Sequence, residues 1–354
     1  MTGTEGGSGL FARLRRSLAG GDAKGEEWPL LVHGKLPIYK DFISSGVTEE
    51  AAKEFRDWLG NGFSHIWSPR EEYKACEIPP TRFLGLLPRT RRLVAGALWG
   101  SHDEGGLRRF PFALFSVVPG GRALEPFVAL DALEGFDAKG AAIRRNWDTP
   151  GTLSAFYAAH RGAGVKVVFR SAGKLESEVR GAISAYTVDD YAAALQGQSH
   201  SPGAFDLWLE RVRDAFEKAR TGRVGAVVLP LTDIEAPVLQ AQFWLLFASA
   251  VGRSAPTGFL LSQPREAPPR VVFFWRALHP EDVLLLHPAL CEAEDAVVVA
   301  ATADVAVPAQ DPPGVPSPEA EPGGEARPVP PVVRTLPLGA LLPAVGSPGR
   351  VTPL

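Results

Sequence analysis

Apolar residues recur at two different spacings along the chain, and these spacings predict its secondary structure. Between residues 48 and 67 they repeat every three or four positions, which predicts an amphipathic helix with Thr48 as its N-cap. Short apolar runs bounded by Gly, Pro or charged residues predict strands. In the N-terminal half these runs are 30–33, 83–87, 92–98, 110–118, 127–130 and 165–169.

The same patterns continue through the C-terminal half. Helical stripes are expected at about 137–160 (broken at Pro150), 174–195, 205–216 and 237–251, with a short helical end at 278–288. Apolar runs predict strands at 224–231, 258–261 and 271–275. Several strands follow one another with no helix between them. The predicted fold is therefore α/β (α+β), with a largely antiparallel central sheet and helices packed on its faces.

Composition divides the 354 residues into four parts. Residues 1–27 are rich in Gly and charge and predict a flexible leader, and 28–200 predict an N-terminal α/β domain. Residues 201–290 predict a second α/β segment packed on it. The stretch 291–354 is rich in Pro and Ala and lacks Phe, Trp and Tyr, so it cannot bury enough apolar surface to fold and is expected to be a disordered tail.

Charge and cysteine content exclude several classes of function. The formal net charge is −3, which gives no positive field for nucleic acid, so a nucleic-acid partner is not expected. Cys76 and Cys291 are far apart and lack the spacing of metal ligands, so no metal or other cofactor is indicated. There is no signal peptide and no apolar run long enough for an integral membrane segment, which predicts a cytoplasmic protein.

Candidate catalytic residues are few. Ser101, His102 and Asp103 are adjacent in sequence, and a triad needs side chains that converge from separate parts of a fold. Gly34-Lys35 is not followed by the Ser or Thr of a phosphate-binding loop. His33 and Asp41 flank the same turn, and Asp103 lies in another polar loop, so an enzyme using these three residues stays an alternative.

Two motif blocks resemble the TagF/ImpM accessory proteins of bacterial type VI secretion. The first reads Gly34-Lys35-Leu36-Pro37, then Asp41-Phe42, then Trp58-Leu59; the second reads Ala95-Gly96-Ala97-Leu98, Ser101-x-Asp103 and Arg108-Arg109-Phe110-Pro111. The blocks occur in the order that this family shows. The resemblance implies a regulator that controls the apparatus after translation, usually as a repressor. It would do so without enzymatic activity, by binding a cytoplasmic component such as the forkhead-associated scaffold protein.

Within these motifs, polar turn residues that lack any catalytic constellation suggest where a partner binds. The expected binding residues are Gly34, Lys35, Pro37, Asp41, Phe42, Trp58, Ser101, Asp103, Arg108, Phe110 and Pro111. Lys35, Asp41 and 101–108 are expected to form a polar rim, with Lys35 exposed on its turn. Trp58, Trp99 and Trp147 are candidate aromatic anchors. A structural subunit bound to the baseplate or membrane complex remains the alternative from another class.

Overall fold

The computed structural model describes most of the chain between residues 24 and 299. The described ranges are 24–67, 78–121, 124–147, 151–196, 204–252, 255–264, 268–286 and 296–299. The predictions for residues 1–23, for the break at Pro150 and for residues 300–354 fall outside these ranges.

Eleven strands are present in the described ranges. They are β1 Lys24–Pro29, β2 Leu31–Gly34, β3 Ile43–Ser45, β4 Thr81–Leu86, β5 Leu93–Trp99, β6 Phe112–Val117, β7 Gly164–Phe169, β8 Ala226–Pro230, β9 Gly258–Ser262, β10 Arg270–Phe274 and β11 Ala296–Val298. Nine of them form one sheet in the order β11-β8-β10-β9-β4-β5-β6-β2-β3, and β1 pairs with β7 separately.

The large sheet is antiparallel at every strand pair except β11–β8, which is parallel. Its N-terminal and C-terminal strands meet at β4 and β9, where Leu84 lies opposite Phe259. At this junction the buried hydroxyls of Thr81 and Ser262 are 2.9 Å apart and share a hydrogen bond. One continuous sheet therefore spans both halves of the described chain.

Helices cover both faces of this sheet. They are α1 Glu50–Asn61, α2 Pro126–Ala132, α3 Glu134–Trp147, α4 Leu153–His160, α5 Ala172–Ile183, α6 Val188–Gln196, α7 Ala204–Arg220 and α8 Pro237–Gly252. A π-helical turn at Gly62–Trp67 follows α1, and 3₁₀ turns lie at Pro119–Gly121 and Pro280–Leu286.

Two hydrophobic cores follow from the alternation of side chains along each strand. Phe112 and Leu114 of β6 point into the larger core, which the helices from α2 to α8 share. Ala113 and Phe115 point to the other face, where α1 and the 3₁₀ turn at Pro280–Leu286 close a smaller core. The sheet is thus buried on both faces, which confirms the predicted fold class.

Most predicted elements are confirmed within a few residues of their ends, but the stretch 127–130 is not a strand. It lies in α2, where Pro126 occupies the first helical turn and Ala129 and Leu130 are buried. Pro is well suited to the first turn of a helix because its missing N–H has no partner there. A short apolar run does not reveal its period, so its pattern fits a helix and a strand equally well.

Two further predicted helices are corrected. The helix expected at 174–195 is two helices, α5 and α6, because Ser184 ends α5 and a new helix begins after Thr187. The helix expected from Thr48 begins at Glu50, with Glu49 as N-cap and no side-chain cap. Thr48 instead donates its hydroxyl to the Gly46 carbonyl.

Two strands overlap segments that were predicted to be flexible. β1 overlaps the expected leader and pairs with β7 along six residues, with Trp28 buried against Phe169. β11 lies inside the expected tail and pairs with β8. β1 is mostly charged or polar and depends on β7 for its backbone hydrogen bonds, whereas β11 is a short apolar run inside a Pro-rich and Ala-rich stretch.

Candidate functional site

Two loops lie side by side at one end of the large sheet. The first loop, 35–42, connects β2 to β3, and the second loop, 100–111, connects β5 to β6. Because β2 and β5 both pair with β6, the loops leave the sheet at the same end. We refer to them together as the two-loop surface.

Gly34 allows the two loops to start in contact. Its φ of +143° lies in a region that L-residues rarely adopt. A Cβ at this position would lie 2.2 Å from the carbonyl oxygen of Pro111, which is closer than any side chain allows. Glycine is therefore required by backbone conformation and by the close approach of Pro111.

Asp103 organises the second loop from within. Its carboxylate accepts hydrogen bonds from the backbone N–H groups of Leu107 at 3.2 Å and Arg108 at 3.3 Å, and from Arg108 Nε at 2.6 Å. The backbone N–H of Asp103 donates to the Arg108 carbonyl, and that of Phe110 donates to the Ser101 carbonyl. The loop is thus a closed turn, and Leu107 projects from its tip with 90% of its surface exposed.

Three contacts join the first loop to the second, and a fourth holds Lys35 within the first loop. Lys35 Nζ lies 4.0 Å from Asp103 Oδ2 and donates to the Lys40 carbonyl at 3.5 Å. Arg108 Nη2 donates to the same Lys40 carbonyl. The backbone N–H of Glu104 donates to the Tyr39 carbonyl at 3.2 Å. The structure therefore brings the Asp41 and Ser101 neighbourhoods together, as the sequence predicts.

Lys35 is buried, contrary to the prediction that it is exposed. Only 3% of the residue is accessible, because it lies beneath the first loop between Asp103 and Phe42. Burial and the nearby charge of Arg108 lower the pKa of the Lys35 ammonium, while Asp103 and Asp41 act in the opposite direction. Lys35 therefore joins the two loops, and its ammonium does not face solvent.

The Asp103 carboxyl is also buried yet favours its ionised form. Burial alone would raise its pKa, but the hydrogen bonds and the charge of Arg108, together with the charge of Lys35, lower it below the ordinary value of 3.8. Asp103 is therefore a carboxylate at neutral pH and holds both cations in place.

Phe42 forms the exposed part of an aromatic cluster. Its ring is stacked on His33 with centroids 5.5 Å apart, and it meets the edge of Phe110 at 4.8 Å. The Lys35 ammonium lies 4.5 Å from the centroid of the same ring, within cation–π range. Phe42 still exposes 44% of its surface, so the first loop presents an aromatic side chain to solvent.

His33 is neutral at physiological pH. It is buried, and its Nδ1 shares a 2.7 Å hydrogen bond with Ser44 Oγ. Burial and the charge of Arg56 lower its pKa to about 4, and the opposing effect of Asp57 is smaller. The ring therefore behaves as an uncharged aromatic wall.

A cleft of about 260 Å³ opens beside this cluster. One wall carries the rings of His33, Phe42 and Phe110, and the other is the polar face of α1 and the π-helical turn. That polar face consists of Arg56, Asp57, Gly60, Asn61 and Ser64. We refer to this feature as the aromatic cleft.

The residues of the polar wall were missed in the sequence analysis. Their signal is visible in retrospect: Arg56, Gly60 and Ser64 follow one another at intervals of four, and Asp57 and Asn61 are also four apart. Residues four apart share one face of a helix. The apolar stripe that predicts α1 lies on the opposite face of the helix and does not include these residues.

The remaining predicted residues differ in their accessibility. Asp41 is exposed, and its carboxylate accepts from the backbone N–H of Phe42 at 3.1 Å. Arg108 exposes 59% of its side chain, whereas Ser101 and Pro37 are half-buried. Phe110 and Pro111 are buried beneath the two-loop surface.

The tryptophans do not serve as exposed anchors. Trp58 is buried and donates its indole N–H to the His279 carbonyl at 2.7 Å, so it joins α1 to the C-terminal segment. Trp99 is buried in the larger core, and Trp147 is half-buried against Phe156. A partner reaches Phe42 and Leu107 far more easily than any of these three indoles.

Among the described residues, no group of three or more His, Cys, Asp or Glu side chains is arranged to hold a metal ion. None of the helices in the described ranges is both long enough and apolar enough to span a lipid bilayer.

Comparison with known proteins finds one matching family and similar solved structures. The family described as the TagF N-terminal domain, type VI secretion system-associated, matches residues 32–159, which confirms the resemblance of the two motif blocks. The crystal structure of PA0076 from Pseudomonas aeruginosa PAO1 is similar over 37% of this chain, with 19% sequence identity and a TM-score of 0.32. That match spans 60% of the PA0076 chain. No curated protein sequence matches the chain. The two-loop surface lies wholly within the matched range.

Proposed function

We propose that this chain is a cytoplasmic regulator of a type VI secretion apparatus, because its residues 32–159 match the family described as the TagF N-terminal domain, type VI secretion system-associated. It acts without enzymatic activity, by binding a cytoplasmic component of the apparatus such as the forkhead-associated scaffold protein. The bound component is held out of the active assembly, so the regulator is a repressor.

The observation that supports this proposal most strongly is the construction of the two-loop surface. Lys35 and Asp103 hold the two loops together from below, so the loop backbone that carries the exposed groups is ordered before any partner arrives. Those groups include Phe42, Leu107 and Arg108. Aromatic and Arg side chains are enriched among the residues that contribute most to protein–protein binding, and an ordered loop loses less entropy on association.

The polar groups of the same surface are poorly suited to acid–base catalysis. The Asp103 carboxylate is occupied by Arg108 and lies close to Lys35, and its pKa is lowered, which makes it a weak base. His102 directs Nδ1 to the Asp103 carbonyl, so the three adjacent triad letters do not converge. These contacts favour a binding role over turnover.

The proposal is tested by co-isolation and by secretion. The tagged full chain is expressed in its own bacterium, and the type VI components recovered with it are quantified together with the effector protein released into the medium. A regulator recovers a soluble cytoplasmic component, and its deletion raises secretion. Recovery of the assembled baseplate or membrane complex would instead indicate a structural subunit. Steady turnover of small esters or phosphoesters, abolished by Asp41→Ala, would indicate an enzyme.

A matched pair of variants locates the surface. Leu107→Asp places a charge at the tip of the second loop, whereas Leu207→Asp places it at another exposed leucine, on α7. Leu107→Asp is expected to lose the component and Leu207→Asp to retain it. Equal recovery by the two variants would contradict the placement of the interface on the two-loop surface.

A further inference from the structure

The aromatic cleft adds a chemical preference to the proposed interface. Its volume of about 260 Å³ lies below the range of roughly 300–1,000 Å³ that is typical of sites for drug-sized ligands. A cleft of this size takes a single side chain more readily than a cofactor. Its position next to the exposed ring of Phe42 places it at the edge of the two-loop surface.

One wall of the cleft favours an apolar guest. Phe42, Phe110 and His33 pack edge-to-face and face-to-face with centroid distances between 4.8 and 5.9 Å. Phe63 supports the cluster from behind, 5.1 Å from Phe110. A further ring or branched aliphatic group in the cleft would continue this packing and remove the exposed surface of Phe42 from water.

The polar wall of the cleft places a guanidinium near the aromatic wall. Arg56 lowers the pKa of the neighbouring His33 ring more than Asp57 raises it, so the cation acts on that ring more strongly than the carboxylate does. A carboxylate next to the apolar guest would be attracted by the Arg56 guanidinium, whose side chain is exposed.

Arg56 is available for such a carboxylate. Its guanidinium donates two hydrogen bonds to one oxygen of Asp57, at 2.9 and 2.8 Å, and both side chains are substantially exposed. An exposed ion pair of this kind contributes little to stability. Arg56 can therefore turn to a partner without disturbing the fold, and a planar guanidinium is the group best suited to bind a carboxylate through two parallel hydrogen bonds.

From these observations we infer that the aromatic cleft receives one aromatic or aliphatic side chain of the protein partner, and that Arg56 binds an acidic residue next to it. The inference rests on the proposed function, because it names the chemistry that the partner must present at this surface. The partner segment is thus an apolar residue adjacent to Asp or Glu.

Gly60 provides a direct test because it lines the cleft from α1. A Cβ added there meets no atom within 4 Å, so a larger side chain enters open space and leaves the core unchanged. Gly60→Phe fills the cleft. Gly181→Phe is the matched control, since Gly181 is also helical with open space at its Cβ, but lies on α5, which packs on the opposite face of the sheet.

The full chain and these variants are measured by biolayer interferometry against each purified cytoplasmic component of the apparatus: the sheath, baseplate and forkhead-associated scaffold proteins. Gly60→Phe is expected to weaken binding of the recognised component at least about tenfold, a difference of about 1.4 kcal/mol, and Gly181→Phe to leave it unchanged. Arg56→Glu is expected to weaken binding as well, because it replaces the guanidinium that binds the acidic residue of the partner with a carboxylate that repels it.

Each result that differs from these expectations contradicts a specific part of the inference. If Gly60→Phe binds as tightly as Gly181→Phe while Leu107→Asp does not bind, the surface stands and the cleft is not used. If Arg56→Glu binds more tightly, the partner residue next to the guest is basic and the inferred acidic residue is wrong. If no component binds the unaltered chain, the proposed function fails, and the inference fails with it.

Discussion

The ammonium of Lys35 and the carboxylate of Asp103 come from different loops, lie 4.0 Å apart and are both buried. A buried charge is unfavourable unless it is paired, so each group stabilises the other in its position. Arg108 and the Lys40 carbonyl complete the arrangement. The two loops consequently behave as one structural unit, so a substitution that disturbs one loop is expected to disturb the other.

Replacing Lys35 tests this relationship. Lys35→Met keeps the length of the side chain and removes its charge, which leaves the Asp103 carboxylate with Arg108 alone. We expect the free energy of unfolding to fall by about 1–2 kcal/mol, measured by urea denaturation with tryptophan fluorescence. Lys40→Met, at an exposed position of the same loop, is the control and should change it by less than about 0.5 kcal/mol. Equal stabilities of the two variants would show that the buried pair does not hold the loops.

Asp103→Ala should loosen the tip of the second loop. The substitution removes the acceptor of the Leu107 and Arg108 backbone N–H groups. Amide hydrogen exchange in the segment 104–109 is expected to become at least about tenfold faster, while exchange in β5 and β6 stays slow because their ladder is intact. Asp103→Asn keeps an acceptor oxygen, so its exchange rate in this segment should lie between those of the wild type and Asp103→Ala. Unchanged exchange at Leu107 would mean that the carboxylate does not order the loop.

The sequence predicts the central strands and the main helices because their side chains repeat with clear periods. It does not predict β1, since the charged stretch at its start becomes a strand only by pairing with β7. It predicts a strand at 127–130 where the structure has α2, since a four-residue apolar run is too short to show a helical or a strand period. The division between α5 and α6 could have been predicted from the sequence, because Thr followed three residues later by an acidic residue is typical of a helix start. In the structure Thr187 and Asp190 form this capping pair.

The position of the candidate site could be predicted, but its internal arrangement could not. The Asp41 and Ser101 motifs were expected to form one surface, and the loops that carry them do meet, because β2 and β5 both pair with β6. The burial of Lys35 could not be foreseen, because it depends on Asp103 from a loop more than sixty residues away. The aromatic cleft depends likewise on Phe42, Phe110 and the polar face of α1, which only the folded chain brings together.

Gly34→Ala should be strongly destabilising. The new methyl group would overlap the Pro111 carbonyl, and the backbone would have to leave a φ of +143°. We expect a loss of roughly 3 kcal/mol or more, seen as a lower urea midpoint or as insoluble protein. Gly181→Ala is the control, because a helical glycine with open space gains up to about 1 kcal/mol from alanine. A Gly34→Ala variant as stable as Gly181→Ala would contradict the close approach of the two loops.

His33 should make the stability of the fold depend on pH. Its folded pKa of about 4 lies below the ordinary value of 6.5, so between these values the unfolded chain binds a proton that the folded chain excludes. Stability is therefore full above pH 6.5 and falls as the pH decreases toward 4. At pH 5 the loss from His33 alone is about 2 kcal/mol relative to pH 7.5. His33→Gln removes this contribution, so the difference in unfolding free energy between wild type and variant should shift by that amount between the two pH values. His160, whose pKa burial also lowers, is retained in both proteins and cancels in the difference. A constant difference across this range would show that His33 takes up a proton as readily in the folded chain as in the unfolded one.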